Sequence, residues 1–410
     1  MLQFKDSRLG LFVHYSFFDS DRKYEFMRVG VRQDGTMAES LDELADGLDV
    51  EDLANAAAAM RAEYVMFTAW HGNMNVLYPS AVMEKWRPGH SSKRDVLADI
   101  WHALEAKGIR LMLYVHPCDG HDFSEAEQAK LGWNDGPPYT KWNDFINEFF
   151  GELALRYRGK VMGYWFDGGL PPQVDMGIAR LRKTVLDIDP AVVIVQNEAF
   201  DDNFFRRWAD YGCRERINPP YRSYPMQVAT VITGEWWANK SFLEWTPELA
   251  YQYLVLQAST FGSEGGGVAY ATGPYVGGGW EPGVSDFFQR LGQYVDQSKN
   301  SILGTIPSQA FVTMPGPLFN IDKASQSKIF RPLIVATDSR DGSKTYIHVL
   351  FAPYEKKINL PVPRNGKKFR SARYLTTSQP VGFEQDDYGV KLTLSHDQMW
   401  LPLDTVIELS

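Results

Sequence analysis

For roughly its first 300 residues the chain alternates short apolar runs with longer amphipathic stretches, and few folds accommodate that pattern. Six runs, Leu9 to Tyr15, Tyr64 to Ala69, Ile109 to Val115, Val161 to Phe166, Val192 to Val195 and Val228 to Ile232, are rich in β-branched and aromatic residues. Near-continuous apolar strands of this kind are covered on both faces, as in parallel sheets. The intervening segments carry helical spacing. In Lys141 to Tyr157, residues Trp142, Phe145, Ile146, Phe149, Leu153 and Tyr157 recur along one stripe. Shorter helical stretches begin at Val50 and Asp95, and others span Leu181 to Ile188 and Pro247 to Phe261. Repeated strand–helix alternation predicts an α/β fold, a (β/α)8-type barrel with room for irregularity.

A chain of 410 residues exceeds one ordinary core, and its texture changes around residues 298 to 325, where Ser, Gly and Pro punctuate the sequence. We therefore divide it into a catalytic barrel over 1–300 and an antiparallel β-sandwich over 301–410. The second part reads as short strands, Thr345 to Phe351, Lys357 to Val362, Ser371 to Leu375, Lys391 to Leu394 and Thr405 to Leu409, separated by turn residues.

Charge narrows the partners. With 42 Lys and Arg against 51 Asp and Glu, the net charge of -9 argues against nucleic acid and for a neutral or weakly charged ligand. Cys118 and Cys213 lie far apart without metal-ligand neighbours and read as free thiols. Neither a signal peptide nor a run of about 18 apolar residues is visible, so we expect a cytoplasmic protein with no membrane partner.

The chemistry gathers at strand ends, where a (β/α) barrel builds its active site. His14 ends the first run; Trp70 and His71 follow the second, and His116 follows Tyr114 at the end of the third. Asp167 ends the fourth beside Trp165, Asn197 the fifth, and Glu235 with Trp236 and Trp237 follows the sixth. Three histidines and an aspartate could serve a barrel metallohydrolase, although no short His-x-His or His-x-x-x-His spacing accompanies them. The aromatic residues point instead to an uncharged ring such as a sugar. Breaking a glycosidic bond needs two carboxyl groups, one ionised and one kept protonated by its surroundings.

The residues carrying this pattern resemble the retaining α-L-fucosidases among glycoside hydrolases. The likeness is carried by Leu9-Gly10-Leu11-Phe12-Val13-His14, Lys23-Tyr24-Glu25-Phe26, the strand from Tyr64 to His71, and above all Tyr164-Trp165-Phe166-Asp167-Gly168-Gly169. The resemblance implies that Asp167 is the nucleophile of a covalent glycosyl-enzyme, with His14, Glu25, His71, Tyr114 and Trp165 around the sugar. Position adds Trp70, His116, Asn197 and Trp236 as substrate contacts. For the acid/base, Glu235 is the first choice and Glu264 the second, with Glu215 and Glu244 as outside candidates. No metal or cofactor is expected, and the partner is an oligosaccharide or glycoside. Where the family commonly has Trp-Gly after its first histidine this chain has Tyr15-Ser16, and Gly72-Asn73-Met74 stand where a second His and Asp-Gly are common. The implied sugar is therefore L-fucose or a configurational relative. A carbohydrate-binding barrel without turnover is the alternative of a different class.

Overall fold

A computed structural model describes residues 4–18, 30–72, 74–118, 120, 123–167, 177–197, 209–215, 226–260, 266–312, 318–320, 328–330 and 334–410. Eight parallel strands close into a barrel: β1 (Leu9–Val13), β2 (Tyr64–Thr68), β3 (Arg110–Val115), β4 (Val161–Phe166), β5 (Val193–Asn197), β6 (Tyr211–Glu215), β7 (Met226–Val231) and β8 (Gly267–Thr272). Each pairs with the next, and β8 returns to β1 with Leu9 opposite Val268. The expected (β/α)8 architecture is present.

Two strands escape the sequence pattern. Tyr211-Gly212-Cys213-Arg214-Glu215 in β6 looks like a polar turn, and β8 is built from small residues behind a glycine-rich stretch. Their composition follows from where they face. Phe12, Tyr64, Tyr114 and Trp165 fill the barrel interior, and Cys213, Ala229, Ala269 and Ala271 join the same cluster as its small members. Large residues on one wall leave room only for small ones on the other. Gly10 obeys the same rule, since a Cβ there would lie 2.3 Å from the Tyr64 ring. The run read as the sixth strand is consequently the seventh.

Helices wrap the outside. Thr140–Arg156 presents Trp142, Phe145, Ile146, Phe149, Phe150 and Leu153 to the strands, the stripe its spacing predicts. The helices Val50–Met60 and Val284–Ile302 meet at Gly292, where an added Cβ would stand 1.9 Å from the Ala59 carbonyl oxygen. Backbone that close cannot yield without moving a helix. We expect Gly292→Ala to lose about 1–3 kcal/mol or more of stability, read as a lower denaturant midpoint; an unchanged midpoint would mean that the helices part freely.

The C-terminal part begins with β9 (Thr305–Pro307) and continues through β10 (Leu318–Asn320), β11 (Lys328–Phe330), β12 (Ile334–Ser339), β13 (Thr345–Val349), β14 (Lys357–Leu360), β15 (Ala372–Tyr374), β16 (Gly382–Asp386), β17 (Gly389–Thr393) and β18 (Thr405–Leu409). A five-stranded sheet in the order β15-β18-β13-β12-β9 and a three-stranded sheet β14-β17-β16, both antiparallel, enclose a second core, and β10 pairs with β11. The helix Pro247–Thr260 packs against β8 on one side and against β9 and β12 on another, so every residue from Ala250 to Ser259 is buried. A polar cluster pins this junction. His348, fully buried, meets Asp404 Oδ2 through Nδ1 at 2.7 Å and the Ser301 carbonyl through Nε2 at 3.2 Å, while Tyr251 donates its hydroxyl to the same Asp404 oxygen at 2.8 Å. Gln252 donates to the carbonyls of Leu350 and Leu403. Cys118 and Cys213 are free thiols, both buried. Among the described residues no helix is long and apolar enough to cross a membrane.

Candidate active site

Side chains two apart on a strand face the same way, and this period aims one set of polar residues at the barrel mouth. Below it, Tyr114, Trp165 and Cys213 belong to the interior cluster; two positions on stand His116, Asp167 and Glu215, at the C-terminal ends of β3, β4 and β6. Asn197, two beyond Val195, completes the row on β5. The Asp167 amide still donates to the Val115 carbonyl at 3.0 Å, extending the ladder past the strand, so the sheet holds this residue in place. His14 is fixed likewise, its amide donating to the Thr272 carbonyl at 3.1 Å.

Both oxygens of Asp167 are held. Tyr114 donates its hydroxyl to Oδ2 at 2.6 Å, and the Asn197 amide donates to Oδ1 at 2.9 Å. The same Asn197 nitrogen donates to Glu215 Oε1 at 2.6 Å. Because both bonds start from one nitrogen, the two bonded oxygens stand no further apart than the bonds laid end to end. Burial by itself pushes the Asp167 carboxyl up, but the neighbouring His116 imidazole, the Asn197 and Tyr114 hydrogen bonds and His71 outweigh it and hold the group below the ordinary aspartate range. It is a carboxylate built to stay ionised.

Rings wall the site. Trp165 stacks on Tyr114 with centroids 5.4 Å apart, and the His71 ring lies parallel to the other side of the cluster, 5.2 Å from Tyr114. His14 packs on Phe12 at 4.1 Å and on Trp236 at 5.0 Å, and His71 stands 6.0 Å from both His14 and His116. Gly72 donates its amide to His71 Nδ1 at 2.8 Å, which helps to hold the ring in place. The buried indole N–H groups of Trp165 and Trp237 meet no acceptor among the described residues.

Of the residues singled out from sequence, His14, His71, Tyr114, His116, Trp165, Asp167, Asn197 and Trp236 converge here. Trp70 does not. Its ring is buried between the barrel and the helix Thr140–Arg156, 4.9 Å from Phe149 and 5.5 Å from Phe150, and its indole N–H reaches only the His116 carbonyl. A strand apolar on both faces does not announce which side a following Trp takes. Glu235 is half-buried after β7, and its backbone carbonyl accepts the Thr233 hydroxyl. Glu25 and Glu264 lie outside the described residues. Glu215, an outside candidate from sequence, stands beside Asn197 here, and the two-residue period Tyr211, Cys213, Glu215 is the signal that marks its position. Among the described residues no three His, Cys, Asp or Glu groups converge as a metal site.

An eight-stranded barrel with two bridged carboxyl groups at its C-terminal mouth, walled by aromatic and imidazole rings, has the architecture of the barrel glycoside hydrolases. The family model described as alpha-L-fucosidase matches residues 1–300, and the chain belongs to that family. A putative alpha-L-fucosidase 1 of Oryza sativa subsp. japonica is 29% identical over 187 residues, 43% of this chain and 31% of that protein, so the match spans under a third of the curated relative. Among solved structures, alpha-L-fucosidase isoenzyme 1 of Paenibacillus thiaminolyticus superposes with a TM-score of 0.73 at 18% identity, covering 99% of this chain and 97% of that one. An alpha-L-fucosidase of Bacteroides thetaiotaomicron, solved as a trapped covalent intermediate with 2-fluoro-fucosyl fluoride, gives 0.72 at 19%, covering 99% and 94%. At such identities the likeness establishes the fold.

Proposed function

We propose that this protein is a retaining exo-glycosidase that removes a terminal α-L-fucosyl residue, or a sugar of related configuration, with Asp167 as nucleophile and Glu215 as acid/base. The observation that carries the reading is the Asn197 nitrogen shared by the two carboxyl groups, which keeps their bonded oxygens no further apart than two hydrogen bonds laid end to end. Membership of the fucosidase family, and the relative trapped as a covalent intermediate, support it. In the first step an Asp167 oxygen bonds to the anomeric carbon, the glycosidic C–O bond breaks, and Glu215 gives its proton to the departing oxygen. In the second, water attacks that carbon, its proton passes to Glu215, and the ester to Asp167 opens. The rings of Trp165 and Trp236 offer stacking surface for the sugar, and His14, His71 and His116 offer polar contacts to its hydroxyls. Two buried free thiols support a reducing compartment, the cytoplasm.

The acid assignment is tested by comparing Glu215→Ala with Glu235→Ala. The first is expected to lose about 10²–10⁴-fold on substrates with a basic leaving group, to keep far more activity on a nitrophenyl glycoside, and to form a glycosyl azide of retained configuration when azide is added. Glu235→Ala is expected to show none of this; the opposite result would move the acid to Glu235. Bound sugar without turnover in the unaltered protein would make it a binding barrel. A panel of nitrophenyl glycosides, α-L-fucoside and α-L-galactoside included, reads the configuration directly.

A further inference from the structure

Asn197 ends β5 with its side-chain nitrogen 2.9 Å from Asp167 Oδ1 and 2.6 Å from Glu215 Oε1. That nitrogen carries two protons and donates one to each carboxyl group; with the amide turned end for end, its oxygen would face two acceptors and repel both. We propose that Asn197 is a positioning residue that couples the charge on Asp167 to the proton on Glu215, so that the negative charge always has this donor as it passes between them. The inference rests on the nucleophile and acid/base reading above.

Three consequences of the geometry carry it. An N–H donated to Oε1 places the proton of neutral Glu215 on Oε2, and so fixes which oxygen acts as the acid. In the free enzyme the charge resides on Asp167, which Asn197 meets from one side and Tyr114 from the other. Once Asp167 is esterified, the oxygen facing Asn197 belongs to a neutral group and accepts weakly, while Glu215, its proton gone to the leaving group, has become the anion. The donor then holds Glu215 as the base that takes the proton from water. Hydrolysis returns the charge to Asp167 and the proton to Glu215, so atoms and charge balance over the cycle. Among the described residues, the titratable groups acting on Asp167 are Tyr114 and His116 from β3 and His71 after β2, with His14 after β1 packed on Tyr114.

The test is the pH profile of kcat/KM on an alkyl α-L-fucoside, whose basic leaving group needs the Glu215 proton, for the full chain and for Asn197→Ala and Asn197→Asp. Removing a donor from a carboxylate raises its pKa. The acidic limb, where Asp167 must ionise, and the alkaline limb, where Glu215 must stay protonated, should therefore both move up, by roughly one unit in Asn197→Ala, with kcat/KM about 10–100-fold lower at the wild-type optimum. Asn197→Asp keeps the shape of the side chain but adds a third carboxyl group, and should move both limbs further. A profile reduced in height but unmoved would overturn the proposal, because a merely structural residue lowers the bell without shifting it. Carbon-13 titration of the two carboxyl groups without substrate, assigned from Asp167→Asn and Glu215→Gln, separates the two claims. Both should titrate higher in Asn197→Ala. If they do while Asp167→Gly is not rescued by azide, the nucleophile reading falls and the coupling stands; if they do not, the coupling falls whatever the chemistry of Asp167.

Discussion

Asp167→Gly is expected to lower kcat on a nitrophenyl α-L-fucoside by roughly 10⁴-fold or more, and added azide is expected to restore part of the loss as a fucosyl azide of inverted configuration. The size follows from removing the group that makes the covalent bond. The rescue follows from what the substitution leaves behind: the Tyr114 hydroxyl and the Asn197 amide, which bonded the carboxylate, still line the space together with His116. A small anion finds donors already aimed at it. It enters from the Asp167 side, opposite the leaving group, so the anomeric centre inverts once. In Glu215→Ala the anion instead intercepts an ester already formed, and the centre inverts twice. Product configuration therefore identifies which carboxyl group was removed. Full activity in Asp167→Gly, or absence of any azide product, would sink the nucleophile assignment.

The largest effect on stability is expected where the barrel helices meet the C-terminal sheets, from Asp404→Ala. Asp404 accepts from His348 and Tyr251 where the barrel meets the C-terminal sheets, and His348 is completely shielded from water. Deleting the acceptor strands the His348 Nδ1 in a space that water does not reach and leaves the Tyr251 hydroxyl with Ser298 Oγ at 2.6 Å as its partner. Leaving a buried hydrogen-bonding group unsatisfied costs about 1–3 kcal/mol, because it keeps its desolvation cost without its compensation. Denaturant unfolding should show that loss. The exposed pair Lys183–Asp187, cut by Asp187→Ala, should leave the midpoint where it was. Equal shifts for the two variants would show that the junction is wetter than its geometry implies.

The sequence disclosed the barrel through its strands more fully than through its active site. Six strands are legible because parallel strands covered on both sides read as unbroken apolar runs. β6 and β8 are not, since a crowded interior selects Gly, Ala and Cys on the facing wall and those residues carry little pattern. This has a direct cost for the site. Asp167 is conspicuous because it terminates an aromatic run, whereas Glu215, the acid proposed above, terminates a strand that looks like a turn and is less visible in sequence than Glu235 beside its two tryptophans. Trp70 shows the converse: an aromatic residue next to a pocket histidine that serves packing, because the chain turns it toward Phe149 and Phe150. In the C-terminal part the edge hairpins are legible by strict alternation, as in Lys357 to Leu360, where exposed and buried residues take turns.

The helix Pro247–Thr260 has no wet side. In an isolated barrel the outer half of each helix is a solvent surface, but here Tyr251, Gln252 and their neighbours are roofed by the C-terminal strands. A barrel cut at residue 300 would expose a sticky stripe between its seventh and eighth strands, together with the stranded amide of Gln252. The two parts are thus one inheritance. Any exchange of C-terminal halves between relatives must carry this helix across with the half that covers it, and the cut belongs before Pro247 rather than after the last barrel helix.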